Sequence, residues 1–580
     1  MKKWLCTTCN NIQTTDTLPE KCPICWSEHS NFELINESLL PDQFADVLII
    51  GSGAGALAAA TTAVAEGANI IVLEKGKNLG GTTKRSGGRY WIPNNYLMRA
   101  AGIKDEKEDA LAYMCRYSYP NKYNPSLSKF GLTNYEYEMI ENYYDHASLM
   151  TDYFKDMDVF ESFIDVNWKG EPHVDYLQNI SENKNIRGRS IYALPKEEKS
   201  SPSGGVNLIN NFLLWLESRN TDIRKEHQVI RVLTDQDENV IGVVAKTSAG
   251  LQNFYGKKGV IFGTGGFSHN QDLIKRFHAH QLIGGCGVPE NTGDLVPIAE
   301  SLGAMLGNMT NAFRVQSIFE KHLENPGLPN STFFFIGDSF LEVNKYGKRV
   351  VNEKRNYNDR TLAHYEWDAV RAEYPNQFLF FVTDQRAVNY WGGFPPYPKG
   401  DLDKQKHVIQ GDTLEELADN IDKKLNDIKE HIGNFKLEPD FKENLIETVN
   451  RFNQFAKDGK DLDFLRGSTD YDVEYPTMPP FNPEITWPEA DSKNVAMYPL
   501  ANVGPYFAII MAPGSLDTNG GPMTNKHGQF LRDGYIPIKG IYGAGNCIAS
   551  PGMNSYWGAG ATIGPAMTYG YLSAKHALGK

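Results

Sequence analysis

The chain has 580 residues, 41% hydrophobic and 22% charged, with a formal net charge of -13. The length exceeds what one hydrophobic core serves and predicts two to four domains, while the ordinary composition excludes a disordered or collagen-like chain. Acidic residues are scattered and no basic stripe is present, which argues against nucleic acid as a partner.

The N-terminal region opens with Lys2 and Lys3, but Cys6, Thr7, Thr8 and Cys9 interrupt the apolar run that an export signal needs. Cys6-x-x-Cys9 and Cys22-x-x-Cys25 bring four thiolates together, a set that suits one zinc or one iron in a stretch too short to build a core without metal. The other three cysteines, Cys115, Cys286 and Cys547, are far apart, so the usage is that of a cytoplasmic protein. With Trp4 ahead of the first pair and Cys22-Pro23-Ile24-Cys25 as the second, residues 1–36 resemble a truncated rubredoxin-type module. Asn10 and Trp26 stand where rubredoxins place glycines. Asn tolerates the left-handed backbone such a turn wants and Trp does so poorly, leaving a structural zinc knob and a redox iron both open.

Residues 45–50 read as a buried strand that runs into Gly51-Ser52-Gly53-Ala54-Gly55-Ala56 and an alanine-rich helix. This is the strand, turn and helix of a dinucleotide site, with the pyrophosphate placed on the helix N-terminus. A second strand over 69–73 ends at Glu74, whose carboxylate accepts ribose hydroxyls and disfavours a 2′-phosphate. The run Gly80-Gly81-Thr82-Thr83 and the run Ser86-Gly87-Gly88 come next, close-backbone segments that a flavin needs and a nicotinamide domain does not. Residues 259–262 form another buried strand, leaving through Gly263-Thr264-Gly265-Gly266. Near the C-terminus Gly543-Ala544-Gly545-Asn546 precedes Gly558-Ala559-Gly560-Ala561-Thr562-Ile563-Gly564, which opens the last helix. Apolar runs such as 47–50 and 259–262 have strand length, short of the roughly 20 residues that span a bilayer, so no transmembrane segment is expected.

In this order the segments resemble the fumarate reductase and 3-ketosteroid dehydrogenase superfamily of FAD enzymes from residue 44 onward. The resemblance implies an α/β fold: a two-part Rossmann-like FAD-binding domain over 44–314 and 513–580, and an inserted α+β catalytic domain over 315–512 that caps the substrate. It also implies cofactor contacts from Lys75, Asp294 in Asn291-Thr292-Gly293-Asp294, and Ala561, Thr562 and Ile563. Some relatives attach FAD through a histidine after the ribose acid; residues 74–95 contain none, so noncovalent FAD is expected.

Fumarate reductases carry an arginine acid four residues after an Asn-Glu pair. Here Asn352-Glu353 is followed by Tyr357, and Asp517 stands where the fumarate branch has a histidine. The 3-ketosteroid Δ1-dehydrogenase branch fits instead, on Arg85-Ser86-Gly87-Gly88, Trp91-Ile92-Pro93-Asn94-Asn95 and Ser515-Leu516-Asp517-Thr518-Asn519-Gly520-Gly521. That resemblance makes Tyr357 the base, Tyr556 and the Gly560 N–H the donors that polarise the substrate carbonyl, and Tyr176 the assistant of the base. The implied reaction abstracts a proton α to a ketone while the β carbon gives hydride to flavin N5, with an oxyanion hole holding the developing enolate. Tyrosine titrates near about 10, so Tyr357 needs a partner hydroxyl or a positive charge, for which Lys354 and Arg355 are candidates.

Three functions remain open on sequence: a dehydrogenase of a 3-keto steroid or similar hydrophobic cyclic ketone passing electrons to an unidentified acceptor; an ene-reductase or fumarate-reductase-like enzyme fed through the metal module; and a flavin-binding protein without catalysis.

Overall fold

The computed structural model describes residues 2–8, 12–35, 39–196, 204–474, 476–553 and 555–580. Its first element is a three-stranded antiparallel sheet in which β1 (Lys2–Cys6) lies between β2 (Ile12–Thr15) and β3 (Phe32–Ile35). Among the described residues, Cys6, Cys22 and Phe32 form a buried cluster against this sheet.

β4 (Leu39–Ile50) starts the main sheet and leads through a glycine turn into α1 (Ala54–Ala65) and then β5 (Ile70–Leu73). Val47, Leu48 and Ile49 are fully buried on alternating sides, as a parallel strand covered on both faces requires. β4 pairs in parallel with β5 on one side and with Gly250–Phe262 on the other, and β5 continues in parallel to Asp222–Arg224. Antiparallel strands Val240–Thr247 and Gln228–Thr234 extend the far edge. Late in the chain, Ile536–Gly543 returns to pair in parallel with Gly250–Phe262, Ile541 opposite Val260. The C-terminal helix Ile563–Ala577 then packs on α1. The two ends of the chain thus complete one dinucleotide-type sheet, as the sequence leads one to expect.

A second sheet is antiparallel, with strands Ser331–Thr332, Ala312–Ile318, Tyr506–Thr518, Leu379–Asp384 and Phe340–Val343 in that order and Ile409–Gly411 beside Tyr506–Thr518. Strand periodicity sorts its two faces. Phe380 and Val382 join the core under helices Leu414–Asp427 and Phe441–Asp458, while Leu379 and Phe381 join the cluster around Trp391 on the other side. Residues 315 and 513, the expected edges of the insertion, lie inside Ala312–Ile318 and Tyr506–Thr518. Those strands pair with each other, Gln316 opposite Pro513, so the chain enters and leaves the insertion side by side. Among the described residues no helix is long and apolar enough to cross a membrane.

Candidate active site

One cavity of about 850 Å³ runs from the β4–α1 turn to the second sheet, within the size range of small-molecule and cofactor sites. Its first part is a cradle of backbone. Gly51 has φ +102, and a Cβ there would lie 2.5 Å from the Gly263 carbonyl oxygen, so only glycine brings the two turns this close. α1 begins at Ala54, whose N–H donates to Thr83 Oγ1 at 3.2 Å. The helix N-terminus therefore opens on the cavity as a site for phosphate charge.

Glu74 sits at the end of β5, 9% exposed. Its Oε2 accepts from Ser52 Oγ at 2.6 Å and its Oε1 from the Gly76 N–H at 2.7 Å. Held so, each oxygen keeps lone-pair capacity for a ribose hydroxyl. Lys75 donates from Nζ to Thr292 Oγ1 at 2.6 Å and Asp294 Oδ2 at 3.0 Å, which brings both Lys75 and Asp294 to this wall. Gly53, Gly55, Gly81, Thr82, Ser86, Gly87, Gly88, Gly265, Gly545, Asn546, Thr562 and Ile563 also line the cavity. Ala56, Gly266 and Ala561 are not among its lining residues. Ala56 packs against Gly263, and the Gly266 N–H donates to Asp517 Oδ2 at 2.8 Å.

Tyr176, Tyr357, Tyr556 and Gly560 line the same cavity although they lie up to 384 positions apart in sequence. Tyr176 donates its hydroxyl to the Tyr357 hydroxyl at 3.1 Å. The rings of Tyr357 and Tyr556 meet edge to face at 5.2 Å, and Tyr176 and Tyr556 stack at 5.5 Å. Burial pushes Tyr556 up, opposed by hydrogen bonds with Tyr357 and Thr562, so this phenol stays protonated at neutral pH.

The backbone fixes these rings. The Tyr176 N–H donates to the Trp557 carbonyl at 3.1 Å, tying Tyr176 to the segment that carries Tyr556. Arg355 donates to the Tyr176 carbonyl at 3.2 Å and pairs with Asp472 at 3.5 Å. Tyr357 opens the short helix Tyr357–Thr361, whose N-cap Asn356 accepts from the Asp359 N–H at 3.0 Å. The Gly560 carbonyl accepts from the N–H groups of Trp91 and Gly564. Gly560 has φ +98, and a Cβ there would lie 2.4 Å from the Tyr90 nitrogen.

The two cations offered by the sequence as helpers of Tyr357 are engaged elsewhere. Lys354 Nζ is buried and donates to the carbonyls of Phe335, Gly337 and Pro476, with burial holding it well below the usual lysine range. Arg355 acts on the Tyr176 backbone. The neighbour that Tyr357 does receive is a hydroxyl. Other wall residues give little sign in the sequence: Trp168, His173, Phe333, Phe334, Met478 and Leu516. The run Phe333-Phe334-Phe335 is the one visible signal, and two of its rings pack edge-on against Tyr357.

In the N-terminal sheet the sulfurs of Cys6, Cys22 and Cys25 lie within 4.8 Å of one another. Cys9 lies outside the described residues, as does Asn10. Trp26 adopts the left-handed conformation, φ 61, with its side chain 74% exposed, so the bulky residue takes the glycine geometry after all.

Known proteins resemble this chain along most of its length. The chain is 29% identical to a 4-oxocyclohexanecarboxylate 2-dehydrogenase of Sinomonas cyclohexanicum, over 92% of this chain and 93% of that one. It is 29% identical to a 3-oxosteroid 1-dehydrogenase of Mycolicibacterium smegmatis, over 91% and 96%. The crystal structure of a 3-ketosteroid Δ1-dehydrogenase from Sterolibacterium denitrificans in complex with 1,4-androstadiene-3,17-dione superposes with a TM-score of 0.77 at 25% identity, covering 93% of this chain and all of that one. A family model described as rubrerythrin, rubredoxin-like domain matches residues 4–33. A model described as FAD binding domain matches residues 46–563, and the chain belongs to that family.

Proposed function

We propose that this protein is an FAD-dependent dehydrogenase that places a double bond beside the carbonyl of a 3-keto steroid or similar cyclic ketone. The observation that carries the reading is the meeting of Tyr176, Tyr357, Tyr556 and Gly560 in the cavity that also holds the dinucleotide cradle. The names of the relatives support it.

FAD bound in this cavity supplies the two-electron acceptor for the hydride. The chain supplies the rest. Tyr556 O–H and the Gly560 N–H donate to the substrate carbonyl oxygen and hold the charge that develops there when the α proton leaves. Tyr357, at its phenolic oxygen, takes that proton. Tyr176 donates to the same oxygen and favours its charged form. Phe333 and Phe334 exclude water beside Tyr357.

The domain arrangement that goes with this reading is a metal module over 1–36, an FAD-binding domain from 44–314 and 513–580, and a capping domain from 315–512. The module holds one zinc or iron on Cys6, Cys9, Cys22 and Cys25. The buried, well-separated Cys115, Cys286 and Cys547 fit a reducing cytoplasm. Incubation of the purified protein with a 3-keto steroid and an artificial electron acceptor tests the activity. The expected product has lost two hydrogens beside the ketone; recovery of unchanged steroid and of every cyclic ketone tried contradicts the reading.

A further inference from the structure

The helix Tyr357–Thr361 also carries Arg360, which is buried and does not line the cavity. A guanidinium has five N–H donors in one plane, and here four of them meet main-chain carbonyls. Nη1 donates to the carbonyls of Glu353 and Arg355, both at 3.2 Å, and Nη2 to those of Thr332 at 3.0 Å and Phe333 at 3.5 Å. The fifth donor, Nε–H, goes to Gln316 Oε1. That contact fixes the amide of Gln316, whose Nε2 donates to Glu342 Oε1 at 2.8 Å and meets His364 Nε2 at 3.0 Å. The carbonyls that Arg360 holds belong to the two segments framing Tyr357. Glu353 and Arg355 precede it in the chain, and the Phe333 ring meets the Tyr357 ring edge-on at 5.2 Å. Arg355 itself crosses to the Tyr176 carbonyl at 3.2 Å. One side chain therefore ties together the backbone that leads into Tyr357, the aromatic ring covering Tyr357 and, through Arg355, the backbone of Tyr176. The guanidinium also stacks over the Phe335 ring, 4.0 Å from its centroid. A lysine in its place would keep the charge but lose the planar fork and two of the five donors.

We propose that Arg360 is a positioning residue that sets the contact between the Tyr176 and Tyr357 hydroxyls, and with it the readiness of Tyr357 to take the α proton. The proposal rests on the ketone-dehydrogenase reading. The hydroxyls meet at 3.1 Å, and a hydrogen bond of that length weakens as its partners move apart. Loosening the carbonyls of Glu353, Arg355 and Phe333 shifts Tyr357 against Tyr176, and the phenol that Tyr176 no longer holds is harder to deprotonate.

The test follows flavin reduction by a saturating cyclic ketone across the pH range, in the FAD-loaded full chain and in R360K. The variant should retain FAD. Its rising limb should move to higher pH, with a rate about 10-fold lower on that limb and a smaller loss on the plateau; a misplacement of roughly 1 Å costs about 10²-fold. R360K added to Y176F should move the limb no further than Y176F alone, because the contact through which Arg360 acts is already gone. Gln316→Met, which keeps the side-chain volume and removes only the acceptor of Nε–H, should move the limb the same way by less. It decides the matter where R360K does not accumulate as FAD-loaded protein. An equal loss at every pH, an unmoved limb, or shifts that add in the double variant with Y176F overturns the proposal. Wild-type flavin that no cyclic ketone reduces overturns the dehydrogenase reading and the proposal with it, and that result is seen before any variant is made.

Discussion

Replacing Tyr176 with phenylalanine removes one hydroxyl, the one that donates to Tyr357 at 3.1 Å, and leaves its stacking on Tyr556 in place. A hydrogen bond to a charged acceptor contributes about 1.5–3 kcal/mol. Losing it makes the charged form of the Tyr357 phenol harder to reach. Tyr357 must be deprotonated to take the α proton, so the limb of the pH profile that rises with pH should move to higher pH. At a fixed pH on the rising limb of both proteins the rate should fall about 10- to 100-fold, and on the plateau of both it should recover toward wild type. Anaerobic stopped-flow measurement of flavin reduction by a cyclic ketone across the pH range reads this directly. A uniform loss at every pH would indicate a merely structural role, and an unshifted profile would remove Tyr176 from the mechanism.

Tyr357→Phe should slow flavin reduction by about 10²- to 10⁴-fold with no recovery at high pH and unchanged FAD content, measured by the same assay. Gly560→Ala forces a Cβ to 2.4 Å from the Tyr90 backbone at φ +98, so it should displace the N–H from the carbonyl and cost on the order of 10²- to 10³-fold, read as kcat against FAD occupancy. Acid precipitation should release all flavin into the supernatant as FAD, because residues 74–95 contain no histidine, and Glu74→Ala should weaken FAD retention on gel filtration. Elemental analysis should find about one zinc or iron per chain, lost in Cys22→Ser.

Much of this architecture was legible because it is local. The β4–α1–β5 unit with Glu74 at its end shows itself through buried β residues, a glycine turn and an alanine run within thirty positions. Tyr357, Tyr556 and Gly560 were reached through their neighbours in sequence, and the cavity gathers them. Partners of long side chains were not legible: Lys354 and Arg355 precede Tyr357 by three and two positions, yet one turns into a ring of carbonyls and the other holds the Tyr176 backbone. His173 and Trp168 reach the cavity on an irregular hairpin whose path depends on bridges to Pro172 and Arg187, which no periodicity announces. Trp26 shows the converse, since a residue ill suited to left-handed backbone adopts it where the knuckle geometry prevails.

The central claim, that this cavity oxidises a ketone beside its carbonyl, is tested most directly by mixing the oxidised, FAD-loaded protein anaerobically with a 3-keto steroid and, separately, with succinate. The account predicts loss of the yellow flavin absorbance with the ketone and none with succinate. Bleaching by succinate together with none by any cyclic ketone would contradict it.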